Sequence, residues 1–333
     1  MIHIKKHPAL FLLHNTSMKE KIIYEVDKLL NAKYYDGFRL PRKTLKLLRC
    51  IRIHYKKFII SDYNQQLELI KYFQKYYPEL TQYYKPKSSR PRIYKVIRYL
   101  FEDRLYDEFS SGFKYDNKTK EYNAYQFVEL INLKTCPYCN RNYISILQKE
   151  NEYDKQTRPE LDHFHPKSIY PFLAINYYNL IPSCSTCNKL KSDDNSLDLL
   201  HPYDDCVNNI NITYWLNDMK FYNVKSIKDI TFESENSIEI EIENMPDKNK
   251  KIFQLERLYQ EHTDIVIELI LKHLHYPESY INELALFGYS KEEIYRFIFS
   301  NYLNEENLSK KPLSKLTKDI AEELNLLDFI MPL

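Results

Sequence analysis

The sequence predicts an α+β chain that is predominantly helical, with a central cysteine-bracketed module and a small β-rich segment after it. Three observations predict it. Apolar residues recur at helical spacing towards both ends of the 333-residue chain. Two Cys-x-x-Cys pairs, Cys136–Cys139 and Cys184–Cys187, stand in its middle. Residues 237–243 read Ser-Ile-Glu-Ile-Glu-Ile-Glu, a strict alternation that only a strand can sort onto two faces. Only 3 glycines stand against 31 tyrosines, so tight glycine turns are scarce and long helices are favoured. The expected organisation is a helical domain over 1–120, the cysteine module over 121–206, the β-rich segment over 207–245 and a helical region over 246–333.

From the N-terminus, Ser17 can cap a helix running to about Ala32, with Ile22, Ile23, Val26, Leu29 and Leu30 at helical spacing. The preceding patch Ala9–Leu13 follows Lys5 and Lys6 but is too brief for a secretory leader or a membrane span. No membrane association and a cytoplasmic location are therefore expected. Between Arg39 and Lys57 the chain carries eight Lys or Arg and no acid. Arg42, Lys46, Arg49, Arg52 and Lys56 recur every three or four residues, which places them on one stripe of a helix. Lys85, Lys87, Arg90, Arg92, Lys95 and Arg98 form a second acid-free cluster. The net charge is only +2, so this polarity is local. A run of this kind is most often a solvated helix face.

A helix over Glu121–Leu133 should deliver the first cysteine pair, followed by a strand at Tyr143–Leu147 and a polar hairpin through Asp154-Lys155. Each Cys-x-x-Cys supplies two corners of a tetrahedral zinc site, and two pairs complete four ligands with no open position. A disulfide framework is disfavoured, since six cysteines in 333 residues are sparse and Cys50 and Cys206 lie far from the pairs. A thioredoxin-like centre would use one pair in a βαβ setting. The interval between Cys139 and Cys184 exceeds the usual ribbon spacing of about 15–20 residues, so something substantial is inserted there.

The insert reads Asp162-His163-x-x-Pro166, then Asn179-Leu180, then Cys184-x-x-Cys187-Asn188-x-x-Lys191. In this order and spacing it resembles the HNH endonuclease family, whose ββα-metal fold carries Asp-His on the first strand. In that family Asn-Leu begins the second strand, and Cys-x-x-Cys-Asn-x-x-Lys opens the helix. The resemblance implies a metal-dependent phosphodiester hydrolase. Attack on phosphorus needs a water stripped of its proton, and histidine alone has an unperturbed pKa near neutrality, which makes His163 the expected general base. Asp162 and Asn188 would offer hard oxygens to a catalytic Mg²⁺ or Mn²⁺, beside a structural Zn²⁺ on the four cysteines. Asn179 would orient the catalytic strand and His163. Lys191 and Lys167 could contact phosphates, and His165 is a further candidate contact. By the same resemblance the products would carry 5′-phosphate and 3′-hydroxyl ends.

Beside such a motif, the stripe of Arg42, Lys46, Arg49 and Arg52 reads as a phosphate-backbone track, so nucleic acid is the expected partner, DNA before RNA. Pro166-Lys167-Ser168-x-Tyr170-Pro171 and Phe253-x-Leu255-x-Arg257-Leu258-Tyr259-x-x-His262 are similar to the HNH subunits of Septu-type anti-phage systems. That likeness, over roughly 120–270, implies an antiviral role and an ABC-type ATPase partner. Two other readings stay open: an RNA-cutting nuclease, or a zinc-stabilised binding or scaffold protein whose module is idle.

After the module, the strand at 237–243 should pair with strands near Ile212–Trp215 and Phe221–Val224. From residue 250 onward Phe253, Leu255, Leu258, Ile265, Val266, Leu269 and Ile270 trace a long amphipathic element. Ile294–Tyr302 and Leu313–Leu326 continue in the same manner.

Overall fold

The computed structural model describes residues 1–85, 87–111, 122–148, 154–194, 197–216, 227–276 and 278–326. They form a mixed helix-and-sheet chain whose sheets are small and antiparallel. The chain divides into two compact units, one of Ile4–Asn132 with Ile144–Tyr203, the other of Met1–His3, Leu133–Tyr143 and Asp204–Leu333.

The first unit opens with α1, Pro8–Ala32, longer than the sequence predicts. It starts at Pro8 because proline fits the first turn and the His7 ring accepts a hydrogen bond from Leu10 N at 3.1 Å. Ser17 thus lies inside the helix. Lys33 ends it in the left-handed region (φ 58°). A short hairpin, β1 (Tyr34–Tyr35) and β2 (Phe38–Arg39), turns at Asp36-Gly37, both at positive φ, as a two-residue hairpin turn requires. Helix α2 (Arg42–Ile53) buries Thr44, Leu47, Leu48 and Ile51. A break at His54-Tyr55 separates it from the single turn α3 (Lys56–Ile59), so the basic stripe stops short of Lys56.

Helix α4 (Tyr63–Tyr76) begins at a capping box, in which Asp62 Oδ1 accepts from Gln65 N and Gln65 Oε1 accepts from Asp62 N. Helix α5 (Arg92–Arg98) runs through a π-helical stretch, Tyr99–Tyr106, into α6 (Asp107–Ser110). Helix α7 (Ala124–Ile131) starts at Asn123, whose side chain accepts from Tyr125 N and Gln126 N, and ends at Asn132 (φ 57°). The expected strand at Tyr143–Leu147 is reduced to isolated bridges, Thr135 with Tyr143 and Leu147 with Thr157. Residues 149–153 of the expected hairpin lie outside the described residues. Strand β3 (Glu160–His163), strand β4 (Leu180–Ser183) and helix α8 (Ser185–Lys191) complete the unit.

In the second unit β5 (Asn211–Leu216) pairs antiparallel with β6 (Ile238–Glu243). Ile238, Ile240 and Ile242 are buried while Glu241 and Glu243 are exposed, as the alternation demands. The expected strand at 221–224 lies outside the described residues. The long amphipathic element is broken into α9 (Asp247–Phe253), α10 (Leu255–Tyr259) and α11 (Thr263–His275). Gln254 in the left-handed region (φ 50°) makes the first break. Then follow α12 (Glu278–Leu286), α13 (Lys291–Phe299) with a Ser290/Glu293 capping box, and α14 (Ser314–Glu323). Asp319 on α14 accepts from Ile212 N at 2.9 Å and from Lys315 Nζ at 2.7 Å, which satisfies a buried carboxylate. Among the described residues no helix is long and apolar enough to cross a membrane.

Candidate functional site

Strands β3 and β4 pair in the register Glu160–Ser183, Leu161–Pro182, Asp162–Ile181 and His163–Leu180. A two-stranded ladder has outward-facing edges, so Pro182 can sit in it without a missing bond inside the pair. Cys184 caps α8, its sulfur accepting from Cys187 N at 3.5 Å. A strand, a long loop, a strand and a helix therefore follow one another, carrying Asp162 and His163, then Asn179, then Asn188 and Lys191.

Asn179 is fully buried and works as a clasp. Its Oδ1 accepts from His165 N at 2.7 Å, while its Nδ2 donates to His165 O at 3.1 Å and Leu173 O at 3.0 Å. It thus holds the backbone just after His163 against the loop that carries Ala174. His163 Nε2 lies 2.9 Å from Ala174 O. A carbonyl can only accept, so Nε2 carries the proton and Nδ1 keeps the basic lone pair. Burial, then the nearby Lys167 charge, pushes the His163 pKa well below its ordinary value and keeps the ring neutral. The Tyr106 ring, from the last position of the π-helical stretch, meets His163 edge-on with centroids 4.5 Å apart. Lys167 Nζ sits 4.2 Å above that same Tyr106 ring. Nothing in the sequence singles out Tyr106 among so many tyrosines.

Asp162 is buried and pairs with the equally buried Lys191, Nζ to Oδ1 being 3.1 Å. Lys191 also donates to His163 O at 2.7 Å. Expected as a phosphate contact, Lys191 is placed instead as an internal counter-ion, because α8 is short and points its last turn back at β3. Asn188 donates from its Nδ2 to Glu160 Oε2. Glu160 is not among the residues that the motif implies. It lies on the same strand face as Asp162, two residues away, a signal that was readable.

His165 is placed away from any surface. The strand ends at His163, so the alternation that would have kept His165 on the same face stops there. Its ring is 1% exposed, parallel to Tyr63 at 5.8 Å and edge-on to Phe164. Among the described residues its Nε2 has no hydrogen-bond partner. Burial, then Lys191, pushes its pKa down to about 3. His201, also pushed to about 3 by burial and then His165, closes the same aromatic box, 4.2 Å from the Phe164 ring.

On α2, Arg42, Lys46 and Arg49 are exposed, opposite the buried Leu47, Leu48 and Ile51. Arg52, on the same stripe, is engaged by Asp27 through two hydrogen bonds of 2.6 and 3.2 Å.

Cys136, Cys139, Cys184 and Cys187 are all buried, and their ligand atoms lie within 4.8 Å of one another. In a tetrahedron with bonds of about 2.3 Å, sulfurs stand about 3.8 Å apart, so four thiolates at this spacing fit a zinc ion. Arg141 N lies 3.4 Å from Cys139 Sγ and Cys187 N 3.5 Å from Cys184 Sγ, donors that favour thiolate over thiol. Among the described residues no other group of His, Cys, Asp and Glu is gathered for a metal.

The chain is 38% identical over 77 residues to the Septu protein PtuB of Bacillus thuringiensis. The matched stretch is 23% of this chain and spans 26% of that relative's length. The likeness supports a Septu-like relationship over that part of the chain. No protein-family model and no solved structure matches it.

Proposed function

We propose that the chain is a metal-dependent endonuclease of the HNH type, hydrolysing phosphodiester bonds of nucleic acid, DNA first, as the effector of an anti-phage defence system. The observation that carries this reading is the clasp around His163. Its Nε2–H is committed to Ala174 O, and Asn179 fixes the loop that presents that carbonyl. Neutral Nδ1 is left to take a proton from water, the task a general base performs. The relative named a Septu protein supports the defence role. An ATPase partner is proposed on the same footing.

Asp162 and Asn188 would hold a Mg²⁺ or Mn²⁺ ion through a carboxylate and an amide oxygen. When bound, the ion supplies positive charge where negative charge builds on the phosphate and the departing oxygen. Lys167, half-buried on the Tyr106 ring, holds a positive charge beside His163 and disfavours its protonation. Zinc on the four cysteines is structural, with no coordination position left for substrate.

The buried Asp162–Lys191 pair favours a second reading, an idle module that binds without cutting, because the carboxylate is already matched by a cation. Plasmid DNA and total RNA incubated with the purified chain, Mg²⁺ or Mn²⁺, and a candidate ATPase separate the two. Cutting that chelator abolishes and that His163→Ala removes supports the nuclease. Cutting that survives His163→Ala undiminished overturns the mechanism, and no cutting of either nucleic acid favours the idle module.

A further inference from the structure

A cavity of about 850 Å³ opens in the first unit, away from the β3–β4–α8 site, between α2, α3 and the start of α4. This volume lies in the range of small-molecule sites, about 300–1,000 Å³. Part of its lining is apolar and aromatic: Leu47, Phe58 and Phe73 are buried and Phe11 is half-buried. Tyr72, 44% exposed, stands on its wall.

The rim is basic. Lys6, Lys56 and Lys57 line the cavity and are exposed. No ion pair ties any of the three to a carboxylate among the described residues. Lys43, Arg52, Arg98 and Arg104 of the same unit, by contrast, are all paired. Two acids, Asp62 and Glu68, also line the space, so the three lysines outnumber the carboxylates by one. Exposed ammonium groups and aromatic rings lining one cavity suit a ligand with an anionic end and a flat ring system. A lipid tail would leave the lysines unused, and a bare anion would leave the rings unused.

We propose that this cavity is a binding site for a nucleoside phosphate, its base against the aromatic lining, which includes Phe11 and Tyr72, and its phosphates at Lys6, Lys56 and Lys57. Stacking on aromatic rings tolerates any base. Lysines act on phosphate as compact point charges. The site is independent of the nuclease reading, since it shares none of the residues assigned to cleavage.

Cys50, half-buried on the cavity wall, provides a reporter. The purified full chain is alkylated with N-ethylmaleimide in the presence of each of the four ribonucleoside triphosphates, and peptide mass spectrometry follows Cys50 and the exposed Cys206 separately. At least one nucleotide at about 1 mM should slow Cys50 alkylation fivefold or more and leave Cys206 unchanged. Titration calorimetry should show the same nucleotide bound about tenfold more weakly by Lys56→Ala/Lys57→Ala, a substitution confined to exposed side chains. Absence of protection by all four nucleotides overturns the proposal. So does equal protection by inorganic triphosphate, which marks an anion patch, or protection by a short oligonucleotide alone, which marks a strand-binding groove. Affinity unchanged in the double variant also overturns it.

Discussion

Lys191 Nζ stands 3.1 Å from Asp162 Oδ1 with both side chains buried, joining the last turn of α8 to the end of β3. The pair is isolated from solvent, so each charge depends on the other. Removing the ammonium in Lys191→Met would strand the Asp162 carboxylate and cost about 3–5 kcal/mol, whereas adding Asp162→Asn should recover much of the loss. Urea unfolding of the single and double variants measures this. Equal stability of Lys191→Met and the parent chain would show that the pair is not formed.

The clasp at Asn179 gives a different kind of prediction. Asn179→Ala removes one acceptor and two donated bonds from a fully buried position, so a stability loss of a few kcal/mol is expected, at about 1–3 kcal/mol for each group left unsatisfied. Tyr106→Leu keeps an apolar side chain beside His163 but loses the ring. If the chain cleaves nucleic acid as proposed, this variant should lower cleavage more than stability, because the ring packs edge-on against the imidazole. Parallel cleavage assays and thermal melts separate the two outcomes. Cleavage by Tyr106→Leu at the parent rate would remove Tyr106 from any positioning role.

The order of elements around the candidate site was legible because it is carried by spacing. The cysteine pairs, Asp162-His163, Asn179 and Asn188 fall on strand, loop and helix in the order that the motif implies. What spacing could not reveal is direction and depth. Lys191 reads as a surface phosphate contact until α8 turns it inward onto Asp162. His165 reads as the neighbour of His163 until the strand ends and drops it into an aromatic box. Tyr106 comes from a π-helical stretch more than fifty residues upstream, a placement that no local periodicity encodes. The missed helix start at Pro8 is simpler, since the pattern through Ala9–Leu13 was too short to register beside the stronger one after Ser17.

The buried histidines predict how stability follows pH. Burial pushes His14 down to about 4 and both His165 and His201 down to about 3. In the unfolded chain each would titrate near 6.5. Below about pH 6.5 the unfolded state therefore binds more protons than the folded one. The stability is fully present above that point and is lost as pH falls towards the folded values, by up to about 1.4 kcal/mol per histidine per pH unit. Urea midpoints should be flat from about pH 8 to 7 and fall steeply between about pH 6 and 4. A midpoint unchanged down to about pH 5 would contradict neutral buried imidazoles.

Zinc should be part of the folded state. Elemental analysis of the purified chain is expected to find about one zinc per chain, and a strong chelator should lower the melting temperature as the four thiolates lose their ion. Cys187→Ser should reproduce the chelator's effect, and chelator should then add little. A zinc-free preparation with an unaltered melt would remove the metal from the folding account.

The stripe on α2 offers a test that needs no catalysis. Arg42, Lys46 and Arg49 are exposed, and among the described residues none is held by a carboxylate, while Arg52 is held by Asp27. If the face tracks a phosphate backbone, Arg49→Ala should weaken binding to a DNA duplex and lower the dependence of log affinity on log salt by about 0.9, the share of a single neutralised phosphate. Arg42→Ala and Lys46→Ala should each do the same. Arg52→Ala should change affinity less, since its guanidinium already serves Asp27, and should cost little stability because the pair is exposed. Fluorescence anisotropy across a salt series measures all four. Slopes identical to the parent in every variant would make the stripe an ordinary solvated helix face.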